Sequence, residues 1–397
     1  MEYFDVVVVG AGLAGLQCAR LLSGHGLHVL LADRKSSLDQ AIHTTGIFVR
    51  RSLEDFGLPP SCLGPPIRRV TLYSPARRAL VLDSPRDEFR VARMGTLYAR
   101  LLKDCQAAGA TCALGTSFLG CEPTPEGSLV RLESEGGEQV VSARYLVAAD
   151  GAASRVAAAL GLSANRHWIV GVEEVFDDVP FAGPPQLHCF LDRRVAPGYI
   201  AWVTEDGQAV HVGVGGYRSR FRPSPALDAF RATIGDIVNL RAGRLVERRA
   251  GRIPVGGILR DLANRRGLLI GDAAGAVSPL TAGGLDPCLR LSEIAAKVIW
   301  RFLSTGDPVE LRHYDGQQFR RTFRTRRAMR MAFSLAAHNA VLEAGCALLR
   351  SRVGKRLARS IFFGSGSLGK AASPERVAWA GKPLARNPQN AKPIALN

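Results

Sequence analysis

The sequence predicts an α/β fold in which a parallel sheet is joined by an antiparallel-sheet lobe and followed by a C-terminal helical region. Three observations carry this. Residues 5–9 form a β-branched run that passes through a glycine-rich turn into a helical stretch and a second apolar run. Between residues 160 and 265, short alternating runs are separated by Gly, Pro and Asp turns. From His313 to Arg359 the composition turns helical and basic. With 397 residues, 47% of them hydrophobic and 22% charged, the chain lies in the globular range and can support two or three domains.

The first unit is Asp-Val-Val-Val-Val over 5–9, then Gly10, Ala11, Gly12, Leu13, Ala14 and Gly15, then a helix from Leu16. A second strand, His28 to Ala32, ends at Asp33, 18 positions after Gly15, and Arg34 follows. Gly10 permits a tight turn, Gly12 lets a pyrophosphate approach the backbone, and Gly15 lets helix and strand pack closely. The amides that open the helix, including those of Leu13 and Ala14, face the phosphates, and Asp33 accepts from a ribose diol. This is a Rossmann-type dinucleotide site. A second G-x-G-x-x-G, Gly364 to Gly369, has no strand before it and no βαβ unit after it, and reads as a loop.

Two later segments bear on which dinucleotide is bound. Arg144 to Ala149 runs as a strand into Asp150-Gly151. Leu268 to Ile270 runs into Gly271-Asp272, then to Ser278-Pro279-Leu280-Thr281-Ala282-Gly283-Gly284-Leu285, with an amphipathic helix after it. Together with the N-terminal unit, these segments resemble the FAD-dependent p-hydroxybenzoate hydroxylase-like flavoproteins. The resemblance implies that Asp272 bonds the ribityl chain and that Pro279, Gly283, Gly284 and Leu285 lie along the isoalloxazine. A flat ring needs backbone without side chains beside it, and a helix start favours negative charge. Arg93, opening the helix striped by Met94, Leu97, Leu101, Cys105 and Ala108, resembles the family's arginine near the flavin. Asp150 matches a motif associated with both flavin and nicotinamide.

The alternating lobe contains Pro197-Gly198-Tyr199-Ile200-Ala201-Trp202-Val203. This resembles the P-x-x-Y-x-W-x-F-P motif of geranylgeranyl reductases, with one extra residue between Tyr199 and Trp202, and Thr204-Glu205 in place of Phe-Pro. On a strand these two aromatics point to opposite faces, so that one meets substrate. In the loop Gln40 to Arg51, Thr45-Gly46 stands where prenyl reductases carry Cys-Gly, and His43 lies nearby. The catalytic candidates are His43, Tyr199 and Trp202, with Thr45 and Gly46 against the flavin. The other histidines show no constellation.

The net charge of +17 comes from 52 Lys+Arg against 35 Asp+Glu. Arg320, Arg321, Arg324, Arg326, Arg327 and Arg330 form one basic group, and Arg350, Arg352, Lys355, Arg356 and Arg359 another. They read as a solvated helical face or an amphipathic surface on anionic lipid. No nucleic-acid motif accompanies the charge, so nucleic acid is not expected as a partner. The eight cysteines include no C-x-x-C and no metal-ligand spacing, and no metal is expected. No secretory signal or spanning segment is read, which predicts a cytoplasmic protein, peripheral to the inner membrane face if lipid is bound.

The predicted organisation is a discontinuous FAD domain (1–70, 95–160, 262–305), a substrate-binding sheet lobe (71–94, 161–261), a basic helical region (306–382) and a disordered tail (383–397). The predicted function is that of an FAD oxidoreductase. NAD(P)H binds transiently at the flavin face as reductant, and flavin N5 passes hydride to an apolar, isoprenoid-like substrate. The alternatives are a monooxygenase acting on a small organic molecule and a membrane-associated flavin carrier with little turnover.

Overall fold

A computed structural model describes residues 1–180, 183–335 and 338–364. Its first sheet has seven strands. Glu2–Val9 lies centrally, flanked by Val29–Asp33 and then Thr111–Leu114 on one side and by the long strand Gly137–Ala148 on the other, all parallel. Val6, Val7, Val8 and Val9 are all buried, and this explains why the run shows no alternation: both faces of the sheet are covered. Helices Leu13–Gly24, Met94–Ala107 and Leu285–Thr305 pack as a layer on this sheet. Gly137–Ala148 changes partner along its length. Residues 137–143 pair antiparallel with Gly127–Ser134, and 146–148 pair parallel with Gly267–Leu269. The segment ending in Asp272 thereby reaches the carboxyl edge beside Gly10 and Asp150, where ligands of open α/β sheets bind.

The second sheet also has seven strands, in the order Arg244–Pro254, Trp168–Asp177, Ala209–Gly216, Ala201–Glu205, Gln186–Phe190, Arg69–Tyr73 and Ala79–Asp83. It is antiparallel except for one parallel pair, Gln186–Phe190 with Arg69–Tyr73. The edge strand Arg244–Pro254 and the helix Pro223–Arg231 have no counterpart in the alternation pattern. Most of that edge strand is solvated, and its charged sequence hides its pairing with Trp168–Asp177. Tyr199 precedes its strand instead of lying on it.

Helices Arg324–Leu335, Asn339–Leu349 and Arg352–Phe363 follow. Leu349, Ala358, Phe362 and Phe363 pack against Ile67, Val70, Leu187 and Trp202, closing the apolar end of the second sheet. Among the described residues no helix is long and apolar enough to cross a membrane. The second glycine motif beyond Gly364 and the tail 383–397 lie outside the described residues.

Candidate active site

A cavity of about 1120 Å³ lies between the carboxyl edge of the first sheet and one face of the second. Gly10, Gly12, Leu13 and Ala14 line one end. Gly10 has φ +105°, and a Cβ there would run into the carbonyl of Ala149. Gly12 faces open space, with nothing within 4 Å of a Cβ built on it. Gly15 is absent from the lining; a Cβ on it would overlap the Gly10 carbonyl, so it serves the close packing of helix on strand. Asp33 Oδ2 accepts the Ala11 N–H at 2.6 Å and Oδ1 accepts the Lys35 N–H at 2.8 Å, which sets the carboxylate beside the turn with Arg34 next to it.

Asp272, Gly283, Gly284 and Leu285 line the opposite wall. Burial pushes the Asp272 carboxyl up to about 6. Among the described residues it has no hydrogen-bond donor, so a desolvated acceptor faces the cavity. A polyol chain supplies the hydroxyls that such a group lacks. The open face of Gly12, the amides of the first helix and the side-chain-free Gly283-Gly284 complete a cradle that fits FAD. Asp150 also lines the cavity, but its carboxylate accepts from Ser154 Oγ at 2.5 Å and from the N–H groups of Arg155 and Val156, and so caps the helix Arg155–Ala159. Two residues expected beside the flavin do not line the cavity. The Arg93 guanidinium is held by the carbonyls of Ser61 and Asp206, the latter at 3.2 Å, and does not line the cavity. Pro279 turns away from the lining, its ring toward Gly257.

The second sheet supplies the facing wall through one register line. Leu80, Leu72, Cys189, Trp202, Gly213, Glu173 and Arg249 are successive cross-strand partners from one edge to the other. One half of the line is apolar and the other charged. Glu173 is the junction. Its Oε2 accepts from Trp202 Nε1 at 2.9 Å and from the Thr45 hydroxyl; its Oε1 meets His211 Nδ1 at 3.1 Å and Arg249 Nη1 at 3.3 Å. His211 Nε2 reaches Asp206 Oδ2 at 3.2 Å. Burial opposes a charge on His211, yet a carboxylate on each ring nitrogen holds its pKa up to about 9. Burial likewise opposes ionisation of Glu173 and Asp206, but His211 holds both below the usual carboxylate range, helped by Arg249 and Thr45 at Glu173 and by backbone amides at Asp206.

Sequence reasoning missed this cluster, and His211 corrects the expectation that no histidine but His43 has partners. The available signals were a histidine in an apolar strand and a glutamate pair inside an alternating run. Their convergence depends on strand order. Tyr199 and Trp202 line the same cavity, with ring centroids 6.4 Å apart, contrary to the expectation of opposite faces. Alternation does not apply to Tyr199 because it lies in the preceding turn. Its ring packs over Gly215, where a Cβ would come within 2.6 Å, and its hydroxyl donates to the Thr281 carbonyl at 2.8 Å. It thus ties the sheet to the Gly283-Gly284 loop. His43 lies at the rim, with Nδ1 donating to the Ala250 carbonyl at 2.8 Å and no charged partner among the described residues. Thr45 and Gly46 also line the cavity.

Beyond Trp202 the cavity is apolar. Leu72, Leu187 and Ile200 line it from the sheet, and Met329, Phe333 and Ile361 from the C-terminal helices.

The FAD binding domain family matches residues 3–317. The digeranylgeranylglycerophospholipid reductase 1 of Methanopyrus kandleri is 31% identical over 347 residues, covering 81% of this chain and 88% of the relative. That of Methanothermobacter thermautotrophicus is 30% identical over 324 residues, covering 76% and 78%. A geranylgeranyl bacteriochlorophyll reductase-like protein from Thermoplasma acidophilum superposes with a TM-score of 0.80 at 20% identity, covering 94% and 98% of the two chains, which establishes the shared fold.

Proposed function

The chain belongs to the FAD binding domain family, alongside the digeranylgeranylglycerophospholipid reductases, and from that membership we infer that it reduces carbon–carbon double bonds of an isoprenoid chain. One observation carries the reading: the cofactor cradle opens, past Trp202 and Tyr199, into an apolar extension walled by two sheet strands and the C-terminal helices. Such a wall suits a long hydrocarbon, because apolar area leaves water there while few polar groups lose theirs. Bound FAD supplies the hydride equivalent, with NAD(P)H as the transient reductant. The chain's own residues hold and orient. The glycine-rich turn takes the pyrophosphate, Asp272 takes the polyol, and Trp202 and Tyr199 set the width of the passage. His43, exposed at the rim, is the acid/base candidate for proton exchange with the substrate, and Thr45 and Gly46 border the cofactor end.

The test is anaerobic turnover of the holoprotein with NADPH and a geranylgeranyl-bearing lipid. Mass spectrometry is expected to show two hydrogens added per reduced double bond. Product that forms only with oxygen, and carries an added oxygen atom, would overturn this reading in favour of a monooxygenase. Substrate that leaves the rate of flavin reduction unchanged would mark a carrier instead.

We also infer peripheral docking on anionic lipid at the inner membrane face. Leu348 and Val353 are 74% and 75% exposed, and they alternate with the exposed Arg352, Lys355, Arg356 and Arg359 beside the apolar end of the cavity. Flotation with anionic but not neutral vesicles at physiological salt is the expected result, and no flotation with either removes the inference.

A further inference from the structure

Four side chains behind the facing wall form one continuous hydrogen-bonded line, which the reduction described above leaves unused. Thr45 lines the cavity, and its hydroxyl donates to Glu173 Oε2. Glu173, also in the lining, meets His211 Nδ1 through Oε1 at 3.1 Å. His211 Nε2 meets Asp206 Oδ2 at 3.2 Å, and Asp206 Oδ1 is fixed by the N–H groups of Gln208 and Ala209, both at 2.9 Å. The line therefore ends at the cavity on one side and in a backbone-anchored carboxylate on the other.

Its middle is dry: relative exposure is 1% at His211 and 4% at Glu173. A buried ion pair is often no more stabilising than apolar residues of the same volume, so folding alone gives no reason to set one against a cavity. The groups that face His211 are Glu173, on the neighbouring strand, and Asp206, in its turn. Those that face Glu173 are His211, Trp202, Thr45 and Arg249, and Arg249 also holds Glu247 at 2.6 Å. The two carboxylates raise the imidazole to about 9, so the ring carries both protons at neutral pH. Asp206 keeps Nε2–H and orients the ring, which leaves Nδ1–H directed at Glu173. Among the described residues the Thr45 hydroxyl has no second partner, so its oxygen retains an open site.

We propose that His211 is a buried proton store, and that Glu173 and Thr45 carry its Nδ1 proton to the substrate carbon that does not receive hydride. The π pair of the double bond forms the new C–H bond to the Thr45 proton, and the hydride equivalent completes the other carbon. Thr45 regains a proton from Glu173, and Glu173 from His211 Nδ1. The neutral ring is recharged along the same line by water once product has left. Thr45 is the member that touches substrate; His211 and Asp206 act through Glu173 as positioning residues. The proposal rests on the isoprenoid reading and names the source of the second hydrogen in that reduction.

The test mixes dithionite-reduced holoprotein anaerobically with a geranylgeranyl-bearing lipid and follows flavin reoxidation by absorbance. The wild-type rate is expected to be level near neutrality and to fall above about 9, where His211 discharges. T45V, E173Q and H211Q are each expected to slow the step about 10²-fold with lipid still bound, and T45S to restore most of the rate. Because E173Q and H211Q replace buried groups and can fail to fold, the T45V and T45S pair carries the test by itself. A readout independent of turnover is the ¹⁵N spectrum of histidine-labelled holoprotein, which should show one ring still charged at pH ~8 and lose it in H211Q. A wild-type rate in T45V, or no charged ring at that pH, overturns the proposal while the isoprenoid reading stands. A loss confined to H43Q gives the role to the rim histidine and also overturns it. If the lipid fails to reoxidise the wild-type flavin, both readings fall together.

Discussion

Trp202 and Glu173 sit on strands that do not touch, yet the indole Nε1 donates to the Glu173 carboxylate at 2.9 Å. The strand between them places Gly213 at their shared register position. A Cβ on Gly213 would collide with the indole ring, so only glycine lets Trp202 lie across the strand and reach the carboxylate. The bond fixes the indole at the junction of the charged and apolar halves of the cavity wall.

Gly213→Val is therefore expected to push Trp202 off the strand. Overpacking of this kind costs about 1–3 kcal/mol. The variant should show a red-shifted tryptophan emission and a lower Tm, with FAD still bound. An unshifted spectrum would mean that the indole does not depend on the glycine.

The His211 cluster gives stability a defined pH window. His211 is raised to about 9, so its contribution is complete below its unfolded value and disappears as pH climbs through 9. Glu173 and Asp206 are held down, so theirs is present above the ordinary carboxylate range and disappears in acid. Thermal melts should show highest stability between about pH 5 and 6.5, a fall as pH rises from about 6.5 to 9, and little further change from this group above that. His211→Gln should remove the alkaline fall. Parallel curves for wild type and variant would refute the assignment.

Asp272 predicts a proton linkage in cofactor binding. Burial raises its carboxyl to about 6, and hydroxyl donors from a bound polyol favour the ionised form. Affinity for FAD should weaken as pH drops from 7 to 5 and level off above 7. Asp272→Asn should bind FAD roughly tenfold or more weakly and without that pH dependence. Fluorescence titration of the apoprotein measures both.

Arg93 tests the opposite outcome. Because its guanidinium is spent on two backbone carbonyls, Arg93→Gln should lower Tm by a few degrees and leave the FAD Kd unchanged. A flavin affinity that falls with no loss of stability would restore the direct contact.

The sequence by itself determined what local geometry requires. Gly10 needs a positive φ, Gly15 an absent side chain and Val6 to Val9 two covered faces, and all of these are written in residue type and spacing. The FAD cradle is legible for that reason: phosphate binding uses consecutive amides of one turn. The charged wall is different. Glu173, Trp202, His211 and Arg249 come from four strands of the second sheet, and only its strand order sets them on one face, where Asp206 and the loop residue Thr45 then meet them. Nor could composition tell which arginines turn inward. Arg330 and Arg356 look alike in sequence, but packing of helix Arg324–Leu335 on the sheet lobe buries the first, and the second remains in water. Burial is a property of the assembled layers, and it alone decides where a charge is costly enough to require a partner.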